Sequence, residues 1–203
     1  MHDLGSYHWE ERTCARCPNF AGSTVVKATP CQEIGGVLVV GEAPGADENK
    51  EGEGFVGKAG QRLRDLLHKA GLNDADFGFA NICRCQPHKN RKPTRQEMET
   101  CLPFLVSLIQ ETRPKVILAV GGRTAVHVLC GPGTLKKLID DRAIAQDWRG
   151  GNTHSTFHLI RSVLANVPYL VPMPHTSPRV MNNPKWREVA DRQVRLAAEL
   201  WKR

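Results

Sequence analysis

Short apolar runs alternate with amphipathic stretches along this chain. The run Val37 to Val40 lies between glycines, which predicts a buried strand that ends in a tight loop. Similar runs predict further strands at residues 77–81, 116–120 and 169–173. Apolar residues at helical spacing predict helices at residues 58–70, 94–111, 123–129 and 185–202. This alternation predicts one α/β domain over residues 1–203, a three-layer α/β/α sandwich with a short central, mostly parallel four-stranded sheet.

The ends of the predicted strands and helices indicate where functional residues lie. Thr94 and Glu97 form a capping box at the start of one predicted helix, and Pro114 stops that helix. In parallel α/β sheets, ligands bind beyond the carboxyl ends of the strands. The segments to inspect are therefore residues 41–55, 81–94, 121–124 and 174–182. Residues 131–168 carry no readable pattern.

Composition narrows the classes of function. The chain has 203 residues with 28 Lys and Arg, 21 Asp and Glu, and a net charge of +7. The positive excess suggests a polyanionic partner, although a charge that is spread evenly would serve only solubility. No apolar stretch is long enough to span a membrane, and the polar segment Met1 to Arg12 is not a secretory signal. We therefore expect a cytoplasmic protein with no membrane partner.

Seven cysteines are many for a reducing compartment, where disulfides are rare. Cys14 and Cys17 form a Cys-x-x-Cys pair that can hold a metal, and two more thiolates would complete the site. Cys85 and Cys101 are candidates, since they would pin the loop between them at both ends. Cys83 competes with Cys85, because both side chains share one face of an extended segment. The alternative is an isolated Cys-x-x-Cys pair with cysteines buried in the core.

Three segments that follow predicted strands contain polar residues that could bind or activate a substrate. Glycines in the segment Gly41 to Gly45 let a backbone approach a ligand, and a carboxylate there could orient a water molecule. Asn81 precedes a basic loop, residues 84–95, where phosphates could be neutralised. His175 follows the last strand, where it could donate to a developing oxyanion. The plain alternatives are a solvated acidic loop, a solvated basic face and a turn histidine.

The motifs occur in a recognisable order and spacing. They are Cys14-x-x-Cys17, Gly41-Glu-Ala-Pro-Gly45 with Glu48, Phe55-Val-Gly57 with Ala59-Gly60, Asn81, Cys85-x-Pro87-x-x-Asn90-Arg91-x-Pro93-Thr94, Cys101 and His175. Jointly they resemble the uracil-DNA glycosylase superfamily, and most closely its family 4 iron–sulfur enzymes. The resemblance covers about residues 14–121 and the region near 175. It implies a monofunctional enzyme that flips a uracil, or a related deaminated or modified base, out of DNA and hydrolyses its N-glycosidic bond.

The resemblance implies roles for individual residues. Glu42 would position the attacking water, and Glu48 would be a further catalytic carboxylate. Phe55 would stack on the flipped base and Asn81 would read its Watson–Crick edge, whereas His175 would stabilise negative charge on the departing uracil. The rest of the pocket would be shaped by the backbone of Gly41, Ala43, Pro44 and Gly45. The residues expected to bind DNA are Asn90, Arg91, Lys92, Ser177 and Arg179.

The resemblance also implies a 4Fe-4S cluster with a structural role. The expected ligands are Cys14, Cys17, Cys85 and Cys101. Cys85 is preferred over Cys83 here because the family pattern sets its third cysteine just before the proline and the Asn-Arg-x-Pro-Thr run. This subsite, built from residues 14–17 and 85–101, would brace the basic loop against DNA. The expected partner is uracil-containing DNA, single- or double-stranded, bound by a monomer that associates with the nucleoid.

The chain departs from the family pattern at Gly54, His88, Thr176 and Met181. Thr176 stands where the family usually has the proline of a His-Pro pair. Two other classes stay open: a catalytically silent or altered-specificity DNA-binding relative with a structural cluster, and an unrelated zinc-binding α/β protein. The covalent-trapping relatives have a longer basic loop that ends in histidine, and the short loop here does not favour them.

Overall fold

The computed structural model describes residues 8–17, 23–121, 124–131, 133–140 and 158–203. Within these residues, the strands are β1 (Val37–Gly41), β2 (Phe77–Asn81), β3 (Val116–Val120) and β4 (Tyr169–Met173). The helices are α1 (Ala46–Glu51), α2 (Lys58–Lys69), α3 (Arg95–Thr112), α4 (Ala125–Cys130), α5 (Leu135–Asp140), α6 (His158–Leu164), α7 (Pro178–Met181) and α8 (Pro184–Lys202). A short 3-10 helix covers His88–Asn90.

The strands form one sheet in the order β2-β1-β3-β4. Val37 of β1 pairs with Phe77 of β2 and with Val116 of β3, and β3 pairs in turn with β4. Every pairing among the described strands is parallel, so the prediction of a mostly parallel four-stranded sheet is confirmed. The chain adds β2 on one side of β1 and β3 on the other. A ligand crevice is expected where such connections diverge, beyond the carboxyl ends of the strands.

The sheet is covered on both faces, as β1 illustrates. Leu38 and Val40 belong to an apolar cluster shared with α3, α4 and α6, whereas Val37 and Val39 belong to one shared with α2 and α8. All four side chains are fully buried. A strand buried on both faces is a continuous apolar run, which is the pattern that the sequence carries. The helices therefore form the outer layers of the predicted α/β/α sandwich.

The long predicted helices are present, with small differences at their ends. The Thr94 hydroxyl accepts the Glu97 N–H at 3.2 Å, and the Glu97 carboxylate accepts the Thr94 N–H at 2.6 Å, so the predicted capping box is confirmed. The helix predicted at 123–129 is α4, which begins at Ala125, while residue 123 lies outside the described residues.

Short helices were missed by the sequence analysis. α1, α5, α6 and α7 have 6, 6, 7 and 4 residues, so each spans at most two turns and gives a weak helical pattern. α5 and α6 lie in the stretch 131–168 that carried no readable pattern, and residues 141–157 of that stretch lie outside the described residues. None of the helices described is both long and apolar enough to cross a membrane.

Candidate active site and thiol cluster

A pocket of about 550 Å³ opens beyond the carboxyl ends of the strands, a size typical of small-molecule sites. The loop after β1, the start of α2, the segment after β2 and the turn after β4 line it. The predicted residues that meet there are the loop from Gly41 to Gly45, Glu48, Phe55, Asn81, Asn90, Arg91, His175 and Ser177. Lys92 and Arg179 are exposed and are not among the lining residues.

Asn81 ends β2 directly beside Gly41, the last residue of β1. A Cβ atom at Gly41 would lie 2.5 Å from Asn81 Oδ1 and 3.0 Å from Phe55 Cζ. Only glycine therefore lets these two side chains close over the strand end. The Asn81 carboxamide at the pocket wall can both donate and accept a hydrogen bond.

Phe55 is held through both its backbone and its ring. Its φ of 59° lies in the left-handed region, which is uncommon for an aromatic residue and typical of functional sites. A Cβ atom at Gly60 would overlap the Phe55 carbonyl, so the Phe55 backbone rests on the first turn of α2. The centroids of the Phe55 and Phe79 rings are 4.6 Å apart, with 31° between the ring planes. These contacts fix an aromatic surface at one wall of the pocket.

Glu48 uses both carboxylate oxygens on backbone N–H groups. Oε2 accepts from Gly45 at 3.0 Å, and Oε1 accepts from Gly57 at 3.0 Å. Because Gly45 belongs to the loop after β1 and Gly57 precedes α2, this carboxylate ties two walls of the pocket together. The three-residue spacing from Gly45 to Glu48, at the start of α1, was the local signal for such a contact. A catalytic role for Glu48 stays a prediction, and its hydrogen bonds indicate positioning.

His175 lies at the pocket mouth with its ring orientation defined. Nδ1 accepts the Ser177 N–H at 3.0 Å, so the neutral ring carries its proton on Nε2 and can donate from there. Partial desolvation lowers the pKa of His175, and the nearby carboxylates of Glu42 and Glu48 act in the opposite direction. A lowered pKa favours the uncharged ring, which can donate from Nε2.

Arg91, a predicted DNA-binding residue, forms a bidentate ion pair within the protein. Nη1 donates to Glu97 Oε2 at 2.8 Å, and Nη2 donates to Oε1 at 2.5 Å. Glu97 is almost fully buried, and its bonds with Arg91, followed by those with Thr94, lower its pKa to about 2. The guanidinium therefore holds the basic loop on α3, and a contact between Arg91 and a DNA phosphate stays a prediction.

The predicted thiol ligands lie in one region beside α3. Cys101 Sγ accepts the Arg84 N–H at 3.3 Å, one residue before Cys85. Burial raises the pKa of Cys85 to about 12, with a contribution from the negative charge of the other three predicted ligands nearby. Thiols that raise one another's pKa in this way require a cation to become ligands together.

The four predicted thiol ligands match the donor set of a four-iron cluster, in which each thiolate bonds to a different iron. Among the described residues, no group of three His, Cys, Asp or Glu side chains lies close enough to hold a metal ion. The neighbouring Arg84 is 7% exposed, and its Nε and Nη1 atoms have no hydrogen-bond partner among the described residues. Cluster sulfur atoms would supply acceptors for such donors, so the residues present fit the group.

Cys83 and Cys85 differ in their surroundings. Cys83 is fully buried and belongs to the apolar cluster that contains Leu102 and Leu105 of α3. Cys85 is slightly exposed and is not a member of that cluster. The Cys83 thiol, however, shares a hydrogen bond with Cys101, and Cys101 packs against the same apolar cluster. These surroundings do not separate the two cysteines, and Cys85 as the third ligand stays a prediction.

Comparison with known proteins gives a consistent set of matches. The sequence model described as the uracil DNA glycosylase superfamily matches residues 32–201. The chain is 38% identical over 119 residues to a Type-4 uracil-DNA glycosylase of Pyrobaculum aerophilum, covering 59% of this chain and 61% of that protein. It is 34% identical over 148 residues to one of Thermotoga maritima, covering 72% and 76%, and 36% identical over 121 residues to one of Archaeoglobus fulgidus, covering 60% and 61%. The matches thus span three fifths to three quarters of these relatives.

The ion pair between buried Glu97 and exposed Arg91 gives a testable stability profile. The Glu97 pKa is lowered from 4.5 to about 2, so the stabilisation is present above pH 4.5 and is lost as the pH falls toward 2. Glu97→Gln should lower the free energy of unfolding at pH 7 by on the order of 2 kcal/mol, after allowing for the partly exposed arginine. Urea unfolding of wild type and variant at pH 7, 5 and 3 would measure the difference, which should shrink at the lowest pH.

Asp191→Asn is the matched control for this substitution. Asp191 pairs with Arg195 at 2.8 Å one helical turn away in α8, and the two side chains are 41% and 63% exposed. Loss of this exposed pair should cost no more than about 0.5 kcal/mol. Equal losses in the two variants would show that the Glu97–Arg91 pair contributes no more to the free energy of unfolding than an exposed pair does.

Proposed function

Because this chain belongs to the uracil DNA glycosylase superfamily, we propose that it removes uracil from DNA by hydrolysing the N-glycosidic bond between the base and its sugar. The observation that carries the proposal is the meeting of Asn81, Phe55 and His175 around one pocket. The names of the three relatives, all Type-4 uracil-DNA glycosylases, support the choice of substrate. The enzyme would be monofunctional and would leave an abasic site.

Base recognition would use Phe55 and Asn81. The uracil must first leave the base stack, which costs a few kcal/mol, and the Phe55 ring would receive it by stacking. The Asn81 amide would accept the uracil N3–H and donate to O4. Cytosine presents the opposite pattern at these two atoms, so it would leave two mismatched polar groups in the pocket. Such unpaired groups are costly, and the pocket would therefore discriminate between the two bases.

Cleavage would require stabilisation of two developing charges. When the bond between N1 and C1′ breaks, its electron pair leaves with the base, and the sugar becomes positive. His175 would donate its Nε2–H to uracil O2, where the negative charge develops. Glu42 would orient a water molecule toward C1′ and accept its proton. Glu48, through its bonds with Gly45 and Gly57, would hold the loop that carries Glu42.

DNA is the proposed macromolecular partner, in single- or double-stranded form. The net charge of +7 and the exposed cations Lys92 and Arg179 suit a phosphate backbone, while Asn90 and Ser177 lie at the pocket. Action as a monomer is part of the same proposal. A DNA substrate would bring the working protein to the nucleoid.

We further propose a 4Fe-4S cluster with the ligands Cys14, Cys17, Cys85 and Cys101. When bound, the cluster would supply a structural cross-link, since hydrolysis needs no electron transfer. Cys85 and Cys101 flank residues 86–100, which comprise the loop that brings Asn90 and Arg91 to the pocket and the first residues of α3. The cluster would thus fix both ends of a loop that reaches the DNA.

Replacing His175 with alanine should slow uracil release by about 10²-fold or more, the scale for loss of one oxyanion donor. Single-turnover release from uracil-containing oligonucleotides, single- and double-stranded, measures the rate. Binding to abasic DNA should change little, since no leaving base remains to be stabilised. The control is His68→Ala, because His68 pairs with Asp74 at the other end of α2. Wild-type protein that binds this DNA and releases no uracil would instead indicate the catalytically silent relative.

Replacing Asn81 with aspartate should damage base selection. A carboxylate can accept the uracil N3–H but cannot donate to O4, and it can accept from the cytosine amino group. The ratio of uracil to cytosine release should therefore fall by roughly tenfold or more. Asn166→Asp is the matched control, because the Asn166 amide donates to the Ser162 carbonyl at its own helix end and is not among the residues that line the pocket. An unchanged ratio would contradict the role given to Asn81.

Replacing Cys101 with alanine should abolish the brown colour, the iron and the sulfide of protein purified without oxygen. It should also make residues 86–100 more accessible to protease, because one end of the loop loses its anchor. Cys130→Ala is the control, since Cys130 is buried in the apolar core. Bleaching by Cys83→Ala but not by Cys85→Ala would show that the third ligand is misassigned.

A further inference from the structure

We propose that Thr176 is a positioning residue that holds the proposed leaving-group donor, His175, in place. Thr176 is 2% exposed, and its Oγ1 donates to the Ala59 carbonyl at 2.7 Å. The two residues are 117 positions apart, so the bond joins the turn after β4 to the first turn of α2. This inference rests on the proposed function, because it gives Thr176 its role through His175.

A second contact fixes the same peptide. Arg62 Nη1, from the next turn of α2, donates to the Thr176 carbonyl at 3.4 Å. The side chain and the backbone of Thr176 are therefore both held by one helix. His175 precedes Thr176, and its Nδ1 accepts from Ser177, which follows. The orientation of the imidazole is thus defined by the turn, and the turn is defined by its attachment to α2.

The first turn of α2, which holds Thr176, also contacts Phe55, the proposed base-stacking residue. Ala59 is followed by Gly60, whose Cα lies so close to Phe55 that a Cβ atom would overlap the Phe55 backbone. The contacts therefore run without a gap from His175 through Thr176 and the first turn of α2 to Phe55. A group that stacks on the base and a group that donates to it would be held at a fixed separation by this connection.

The bond to the Ala59 carbonyl depends on the hydroxyl group of Thr176 and not on the shape of its side chain. A buried hydroxyl without a partner costs free energy, so the hydroxyl holds the carbonyl of Ala59 and does not merely fill space. Valine has almost the same shape but no donor, and proline also has none. Serine keeps the donor. Valine therefore removes the hydroxyl at nearly constant volume, whereas serine keeps the hydroxyl and loses one methyl group.

Thr176→Val should slow single-turnover uracil release by roughly tenfold, because small errors of placement at a reacting centre have large effects on rate. Its affinity for abasic DNA should fall by a smaller factor than the rate, because Asn90 and Lys92 lie on another segment and only Ser177 and Arg179 lie in the affected turn. Thr176→Ser should restore most of the rate. Imidazole NMR should show that the ratio of the two His175 tautomers changes in Thr176→Val and returns in Thr176→Ser.

Thr112→Val is the matched control. Thr112 is another buried threonine, and its hydroxyl donates to the Leu108 carbonyl at 2.8 Å inside α3, away from the pocket. Its loss should lower the urea midpoint to a similar extent, with no change in the rate of release or in the His175 tautomers. Equal losses of rate in the two valine variants would reduce Thr176 to a general structural residue and overturn the proposal.

The proposal and the proposed function can fail separately. If the wild-type protein released no uracil, the proposed function would fall, and the NMR comparison would still decide the role of Thr176. Unchanged His175 tautomers in Thr176→Val would then overturn the positioning role. A wild-type rate in Thr176→Val, with uracil release intact in the wild type, would also overturn it and leave the proposed function standing.

Discussion

Parallel pairing between β1 and β2 sets Gly41 directly beside Asn81 at the carboxyl ends of both strands. The pocket depends on this register, because side chains alternate between the faces of a sheet, and a slip of one residue would turn Asn81 away. The absence of a side chain at Gly41 is the second half of the same constraint, since a Cβ atom there would meet both Asn81 and Phe55. The sheet thus determines where a ligand can bind before any loop contributes.

The loops above the strand ends are held by bonds from side chains to backbone. The two carboxylate oxygens of Glu48 accept hydrogen bonds from two N–H groups, and the Thr176 hydroxyl donates to one carbonyl. Each bond joins segments that no strand pairing connects. Loops ordered in this way can keep a pocket open and preformed, so a flipped base would not have to organise its own site. That arrangement requires polar residues whose role is to hold other residues.

Features that depend on neighbouring residues could be predicted from the sequence, whereas contacts that form only in the folded chain could not. The strands could be predicted because burial on both faces leaves a continuous apolar run, and the Thr94 capping box could be predicted because its partners are three residues apart. The second role of Glu97, as the partner of Arg91, could not be, since a basic loop looks the same whether its arginine is paired or exposed. The Thr176 bond to Ala59 crosses 117 positions, and only the folded chain brings these residues together.

The segment that connects Asn81 to α3 borders both the pocket and the predicted thiol ligands. It begins at Asn81, passes Cys85, returns to the pocket at Asn90 and Arg91, and enters the helix that carries Cys101. With the proposed cluster in place, the two cysteines would fix the ends of this loop, while the Arg91 pair with Glu97 fixes its middle. The ion pair needs no metal, and the cluster needs no contact with the base. Since both act on one loop, their effects on its order should not be additive, as expected for groups that share a structural element.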